Sequence, residues 1–131
     1  MTRIVTIESI EQPYRTLCSN GNSQWYADEP ESNGGRDTAP SPSELLLSAV
    51  GTCVSITLRM YAKRKEWPVE KIKLDLRLES VPNENGGTLY RIHESLEIIG
   101  DLNDEQRERM KSLMPKCPVS KIITGEVEIV Y

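Results

Sequence analysis

The segment that most constrains this chain begins at Ser41-Pro42-Ser43-Glu44. A Ser N-cap can accept the third amide of a helix, a Glu at that third position can reach back, and Pro suits the first helical residue. The helix predicted from this start runs through Leu45-Leu46-Leu47, Ala49-Val50, Cys53-Val54, Ile56, Leu58 and Met60-Tyr61 before Lys63-Arg64-Lys65 places cations at its negative end. Almost every face up to Leu58 is apolar. Such a helix must be covered, in a core or at a subunit contact. Gly51, Thr52, Ser55 and Thr57 favour a central helix over a membrane span.

The flanking segments supply strands. Short runs at Ile4–Ile7, Tyr14–Cys18 and Gln24–Ala27, separated by Glu11-Gln12-Pro13 and Ser19-Asn20-Gly21-Asn22, read as a three-stranded meander. Asp28 to Pro42 is acidic and rich in Gly, Pro and Ser, and forms a long loop of the kind that tends to carry function. Beyond the helix, Ile72–Glu79 and Tyr90–Ile99 alternate apolar with polar and flank Asn83-Glu84-Asn85-Gly86-Gly87, which predicts an antiparallel hairpin. Asn103-Asp104-Glu105-Gln106 is a second N-cap signal, leading through Arg107 to Met114 and stopped by Pro115. Cys117-Pro118 opens a third, short helix, and Glu126–Tyr131 reads as a closing strand. The expected fold is α+β, in the order three strands, helix, two strands, two helices, strand.

At 131 residues the chain has room for one domain, residues 1–131, with a sizeable core. Its 16 Lys and Arg against 20 Asp and Glu give a formal charge of -4, which disfavours a grip on nucleic acid or on an anionic membrane. Glu8 and Glu11 come too early for a secretory signal, and no apolar stretch precedes them, so a cytoplasmic location is expected.

Three cysteines remain to be explained, at 18, 53 and 117. They form no Cys-x-x-Cys pair, and with His93 as the lone histidine they lack the close spacing of structural zinc sites. Cys117 stands at a helix N-cap with Lys116 and Lys121 nearby, a setting that favours a thiolate. Cys53 shares a helical face with Leu46, Ala49, Val50, Ile56 and Met60, and by local chemistry reads as an inert core thiol. Cys18 is assigned no role.

Taken as a whole, the stretch from Gly34-Gly35-Arg36-Asp37-Thr38-Ala39-Pro40-Ser41-Pro42 to Gly51-Thr52-Cys53 resembles the signature of the OsmC-like family, the osmotically inducible protein C and organic hydroperoxide resistance group. Lys116-Cys117-Pro118-Val119-Ser120-Lys121 resembles that family's second cysteine motif. The resemblance implies an intertwined, swapped homodimer with central buried helices and active sites at the subunit interface. It also implies thiol-dependent reduction of organic hydroperoxides in oxidative stress defence, without metal or organic cofactor. On it Cys53 is the peroxidatic residue and Cys117 the resolving one, with an external dithiol as reductant. The apolar face around Cys53 becomes a dry pocket for an alkyl peroxide.

The resemblance also implies an arginine that stabilises the thiolate and a glutamate that holds it. Arg36, in the Gly-flanked loop, is preferred over Arg15. The family's glutamate usually lies ten residues ahead of the first cysteine, where this chain has Ser43. Glu44 is the neighbouring candidate, and its helix-capping role competes with an activating one. The missing glutamate keeps open a non-catalytic protein binding a small hydrophobic ligand at the dimer interface, and a third reading is a thiol redox sensor in which a Cys53 to Cys117 disulfide changes the dimer surface.

Overall fold

The computed structural model describes residues 2–131. Their elements run β1 (Thr6–Glu11), β2 (Arg15–Ser19), β3 (Gln24–Ala27), α1 (Pro42–Lys65), β4 (Val69–Pro82), β5 (Thr88–Gly100), α2 (Asp104–Leu113) and α3 (Pro118–Thr124), with short 3-10 turns at Glu31–Asn33 and Met114–Lys116. The chain forms two compact units, one up to Leu46 and one from Leu47 onward.

In the first unit β1, β2 and β3 make an antiparallel meander, as the short alternating runs predict. Cys18 is buried on β2, with Ile7 and Trp25 as its cross-strand partners. The long loop after β3 folds around Asp28, which is 2% exposed. Its carboxylate accepts from the Glu29 amide at 2.8 Å, the Thr38 amide at 3.1 Å and the Thr38 hydroxyl at 2.6 Å. The Asp28 amide donates to the Pro40 carbonyl at 3.0 Å, so both ends of the loop are tied to one residue. Gly34 closes the 3-10 turn at φ 86°, a left-handed conformation that favours glycine, and a Cβ on Gly35 would collide with the Glu29 carbonyl.

The second unit is a long hairpin with helices over one face. β4 and β5 pair antiparallel from Val69↔Gly100 to Pro82↔Thr88, further at both ends than the alternating runs suggest, because ladder hydrogen bonds continue past the half-buried stretch. Ile72, Leu74, Leu96 and Ile98 face the helices. The opposite face carries Lys73, Asp75, Arg77, Glu79, Arg91 and His93, with exposed ion pairs centred on Glu79.

Helix α1 starts where the capping signal places it. The Ser41 amide donates to Glu44 Oε1 at 3.0 Å and the Glu44 amide donates to Ser41 Oγ at 3.2 Å, a complete capping box. Val50, Val54, Leu58 and Ala62 recur every four residues and form its buried stripe. Gly51 lets the helix approach β4, since a Cβ there would lie 2.7 Å from Leu76 Cδ1. The expectation of burial on all sides holds within the chain for that stripe alone: Ile56 is 54% and Met60 68% exposed. The core cluster is Val54, Leu58 and Ala62 of this stripe with Ile98, Met110, Leu113, Met114 and Cys117.

Asn103 caps α2 with a reciprocal Gln106 contact, as expected. At Pro115 the chain tightens into a 3-10 turn instead of stopping outright. The closing strand expected at Glu126–Tyr131 does not form among the described residues: the segment lacks a ladder partner, and Val127, Ile129 and Val130 are exposed. Alternation marks a strand's faces, whereas its backbone needs a free sheet edge.

Candidate functional site

Two thiols meet at the start of α3. Cys117 is its N-cap, with extended backbone at φ -67° and ψ 146°, and its sulfur accepts from the Ser120 amide at 3.4 Å. The Ser120 hydroxyl lies 2.8 Å from the same sulfur, and either group can donate. Cys53, in the middle of α1, accepts at its sulfur from the Val119 amide at 3.5 Å. Consecutive amides of one helix start therefore serve two cysteines that are distant in the chain. Among the described residues all three cysteines are free thiols.

The two thiols differ in access. Cys117 is fully buried at 0% exposure, while Cys53 is half-buried and packs on the edge of the same core cluster. An incoming molecule can therefore reach Cys53 first. Amide donors aimed at sulfur suit thiol–disulfide chemistry, in which negative charge passes between sulfur atoms. No group of three or more His, Cys, Asp or Glu side chains among the described residues could hold a metal ion.

The other sequence candidates lie in the first unit. Arg36 is exposed, its guanidinium forms no hydrogen bond or ion pair among the described residues, and its backbone amide contributes to the Asp28 cradle. Arg15 is engaged: Nη1 donates to Thr38 Oγ1 at 2.8 Å and to the Thr38 carbonyl at 3.4 Å, and the guanidinium stacks 4.1 Å from the Tyr26 ring centroid. Glu44 forms the capping box, and its hydrogen bonds with Ser41, backbone first and then side chain, hold its carboxyl below the ordinary glutamate range.

Sequence reasoning missed Ser120. The signal was available, because Cys117-Pro118-Val119-Ser120 has the N-cap to N3 spacing of a capping box, with sulfur as acceptor and hydroxyl as returning group. It also missed Asp28, whose partner Thr38 lies across an irregular loop, and Glu94, which interrupts the apolar row of β5.

Comparison with known proteins supports this arrangement at the level of fold. No curated protein matches the chain. Among solved structures, the OsmC-like protein from Mycoplasma pneumoniae superposes with a TM-score of 0.79 at 18% identity, covering 95% of this chain and 89% of that one. The organic hydroperoxide resistance protein OsmC from Legionella pneumophila gives 0.70 at 19% identity, covering 98% and 93%. OhrB, the organic hydroperoxide resistance protein of Bacillus subtilis, gives 0.68 at 19% identity, covering 98% and 94%. Residues 34–131, which contain both cysteine motifs, match the family described as OsmC-like protein. The chain belongs to the OsmC-like protein family.

Proposed function

We propose that this protein is a two-cysteine thiol peroxidase that reduces organic hydroperoxides in oxidative stress defence. The observation that carries the reading is the convergence of Cys53 and Cys117 on consecutive amides of α3. The names of the Legionella and Bacillus proteins, organic hydroperoxide resistance proteins both, support the choice of substrate.

The cycle has three steps. The Cys53 thiolate attacks the distal peroxide oxygen, the O–O bond breaks, and sulfenic acid and an alcohol form once the leaving alkoxide takes up a proton. The Cys117 thiol then condenses with the sulfenic acid, forming the disulfide and releasing water. An external dithiol reduces the disulfide by two exchange steps and leaves as its own disulfide. Neither a metal nor an organic cofactor enters this cycle. Arg36, or Arg15 once released from Thr38, supplies the cation for the thiolate, and Glu44 is its candidate holder. The order of attack follows access, since Cys53 is half-buried and Cys117 closed.

The working unit in this reading is a cytoplasmic homodimer with intertwined chains. Supporting it, Ile56 and Met60 leave apolar surface on α1 uncovered, and Val127, Ile129 and Tyr131 alternate with polar or opposite-facing residues in a segment that, among the described residues, has no ladder partner in its own chain. A second copy would cover the first and give the second a sheet edge.

The deciding experiment titrates the thiols of reduced protein before and after one equivalent of cumene hydroperoxide and maps cross-linked peptides by mass spectrometry. Rapid loss of two thiols per chain with a Cys53 to Cys117 disulfide is expected, and Cys53→Ser should abolish turnover. Free thiols after treatment, with apolar-ligand binding that survives Cys53→Ser, would replace the peroxidase reading with the ligand-binding one. A disulfide that forms slowly and resists cellular dithiols would point to a redox sensor.

A further inference from the structure

Two hydroxyls of α3 behave differently. The Thr124 hydroxyl donates at 2.7 Å to the carbonyl four residues back, that of Ser120, which is the ordinary habit of a helical hydroxyl. The Ser120 hydroxyl does not bond back to the main chain. Its Oγ lies 2.8 Å from the Cys117 sulfur and has no other partner among the described residues, while the Cys117 carbonyl receives the Lys121 amide. Ser120 is 8% and Cys117 0% exposed, so water does not compete for the pair.

The remaining surroundings of Cys117 are apolar, since it belongs to the buried cluster of Leu58, Ile98, Met110 and Leu113. A negative sulfur formed there is solvated only by the donors that the fold supplies. Among the described residues both donors to it are Ser120's, the amide at 3.4 Å and the hydroxyl. In the thiol form either sulfur or oxygen can donate. A thiolate has no hydrogen to give, so the hydroxyl becomes the donor, and a hydrogen bond to a charged acceptor is stronger than one to a neutral acceptor. The contact therefore gains strength as charge arrives, which is what a group acting on a reaction must do.

In the two-cysteine cycle the disulfide offers a reductant two sulfurs, and only that of half-buried Cys53 is open to attack. Cys117 must then be the leaving group. Resting on the peroxidase reading, we infer that Ser120 is the donor that receives the Cys117 thiolate when the external dithiol opens the disulfide. The reductant's thiolate bonds to the Cys53 sulfur, and the bond between Cys53 and Cys117 breaks with its electron pair passing to Cys117. The Ser120 hydroxyl hydrogen-bonds that sulfur until it takes up a proton from solvent. The reductant's second thiol, having released its proton to solvent, displaces the Cys53 thiolate and closes the reductant's own disulfide. A better-stabilised leaving thiolate leaves faster, so Ser120 acts on the reductive half of the cycle.

Measuring the two half-reactions separately provides the test. The Cys53 to Cys117 disulfide is formed with diamide in the full-length wild type, Ser120→Ala and Ser120→Thr, and its reduction by dithiothreitol is followed by stopped flow. On the reduced proteins the loss of the Cys53 thiol with tert-butyl hydroperoxide is timed. Ser120→Ala should slow disulfide reduction roughly tenfold or more, with Cys53 oxidation changed less than about threefold. Ser120→Thr keeps the hydroxyl and should recover most of the reduction rate. Alanine is the better helix former, so Ser120→Ala should fold, with the wild type's near-UV circular dichroism. An unchanged reduction rate in Ser120→Ala, equal slowing of both half-reactions, or Ser120→Thr as slow as Ser120→Ala would overturn the assignment. So would a wild type in which diamide links no Cys53 to Cys117. A wild type that forms this disulfide with diamide but is inert to the hydroperoxide would end the peroxidase reading, while the reduction rates would still decide the role of Ser120.

Discussion

Asp28 and Glu94 are both carboxyls drawn out of solvent, and their settings are opposite. Asp28 accepts from the Glu29 and Thr38 amides and the Thr38 hydroxyl, with the Arg36 amide contributing, and the Thr38 hydroxyl, followed by the Thr38 amide, holds it below the ordinary aspartate range. Glu94 has a closed-off oxygen with no partner, and burial pushes it the other way. The first is a staple, organising a loop that has little apolar surface of its own. The second adds nothing to stability where it stands. A buried acid with its full set of donors is therefore explained by architecture, and one without them is not.

The comparison can be broken at several points. The largest effect sets a scale for packing in the Glu94 unit: Leu58→Ala, at a position with 0% exposure, should cost about 2–5 kcal/mol in urea unfolding. A smaller loss would mean that the core collapses around the gap. Next, Asp28→Ala should lower Tm by roughly 5–10 °C at neutral pH, because two amides and a hydroxyl lose their acceptor. The Asp28 carboxyl is depressed in the folded state, so its stabilisation is complete above the ordinary aspartate range and fades as pH falls through the lowered value. The variant's deficit should shrink in acid, and a deficit independent of pH would show that the charge is irrelevant.

Glu94→Leu should act in the opposite direction, raising stability by about 1 kcal/mol or less at neutral pH. The sign follows from linkage. A carboxyl raised in the folded state contributes fully below its unfolded value, and that contribution is lost as pH rises through the folded one. The gain from leucine should therefore grow from mild acid to neutral pH, as thermal melts across that window would reveal. A gain that shrank with rising pH would place a hidden cation beside Glu94. The smallest effect belongs to Glu79, which sits among Arg77, Arg91 and His93 on the exposed hairpin face. Solvent screens such pairs, so Glu79→Gln should shift Tm by no more than about 1 °C. A larger shift would make that cluster a cooperative network.

Much of the fold was legible because its signals are local. The Ser41 to Glu44 box placed the start of α1, Asn103 and Gln106 placed α2, and the alternation in Ile72–Glu79 and Tyr90–Ile99 placed the hairpin and its inner face. Family membership was legible for a related reason, since both cysteine motifs are contiguous stretches of sequence. The site was legible only in part. Cys117 could be placed at a helix cap, whereas local chemistry alone made Cys53 an inert core thiol. The Val119 amide that reaches its sulfur belongs to another helix.

What the sequence by itself determined, then, are the features governed by neighbours within a turn or a strand: caps, helix length and the hairpin with its inner face. Tertiary structure decided the rest, because hydrogen-bond satisfaction depends on what packing brings within about 3 Å. It gave Asp28 its donors and withheld them from Glu94. It brought Cys53 to the amide that follows Cys117 by two residues, and it left Glu126–Tyr131 without an edge, since the backbone of a strand is satisfied only by another strand.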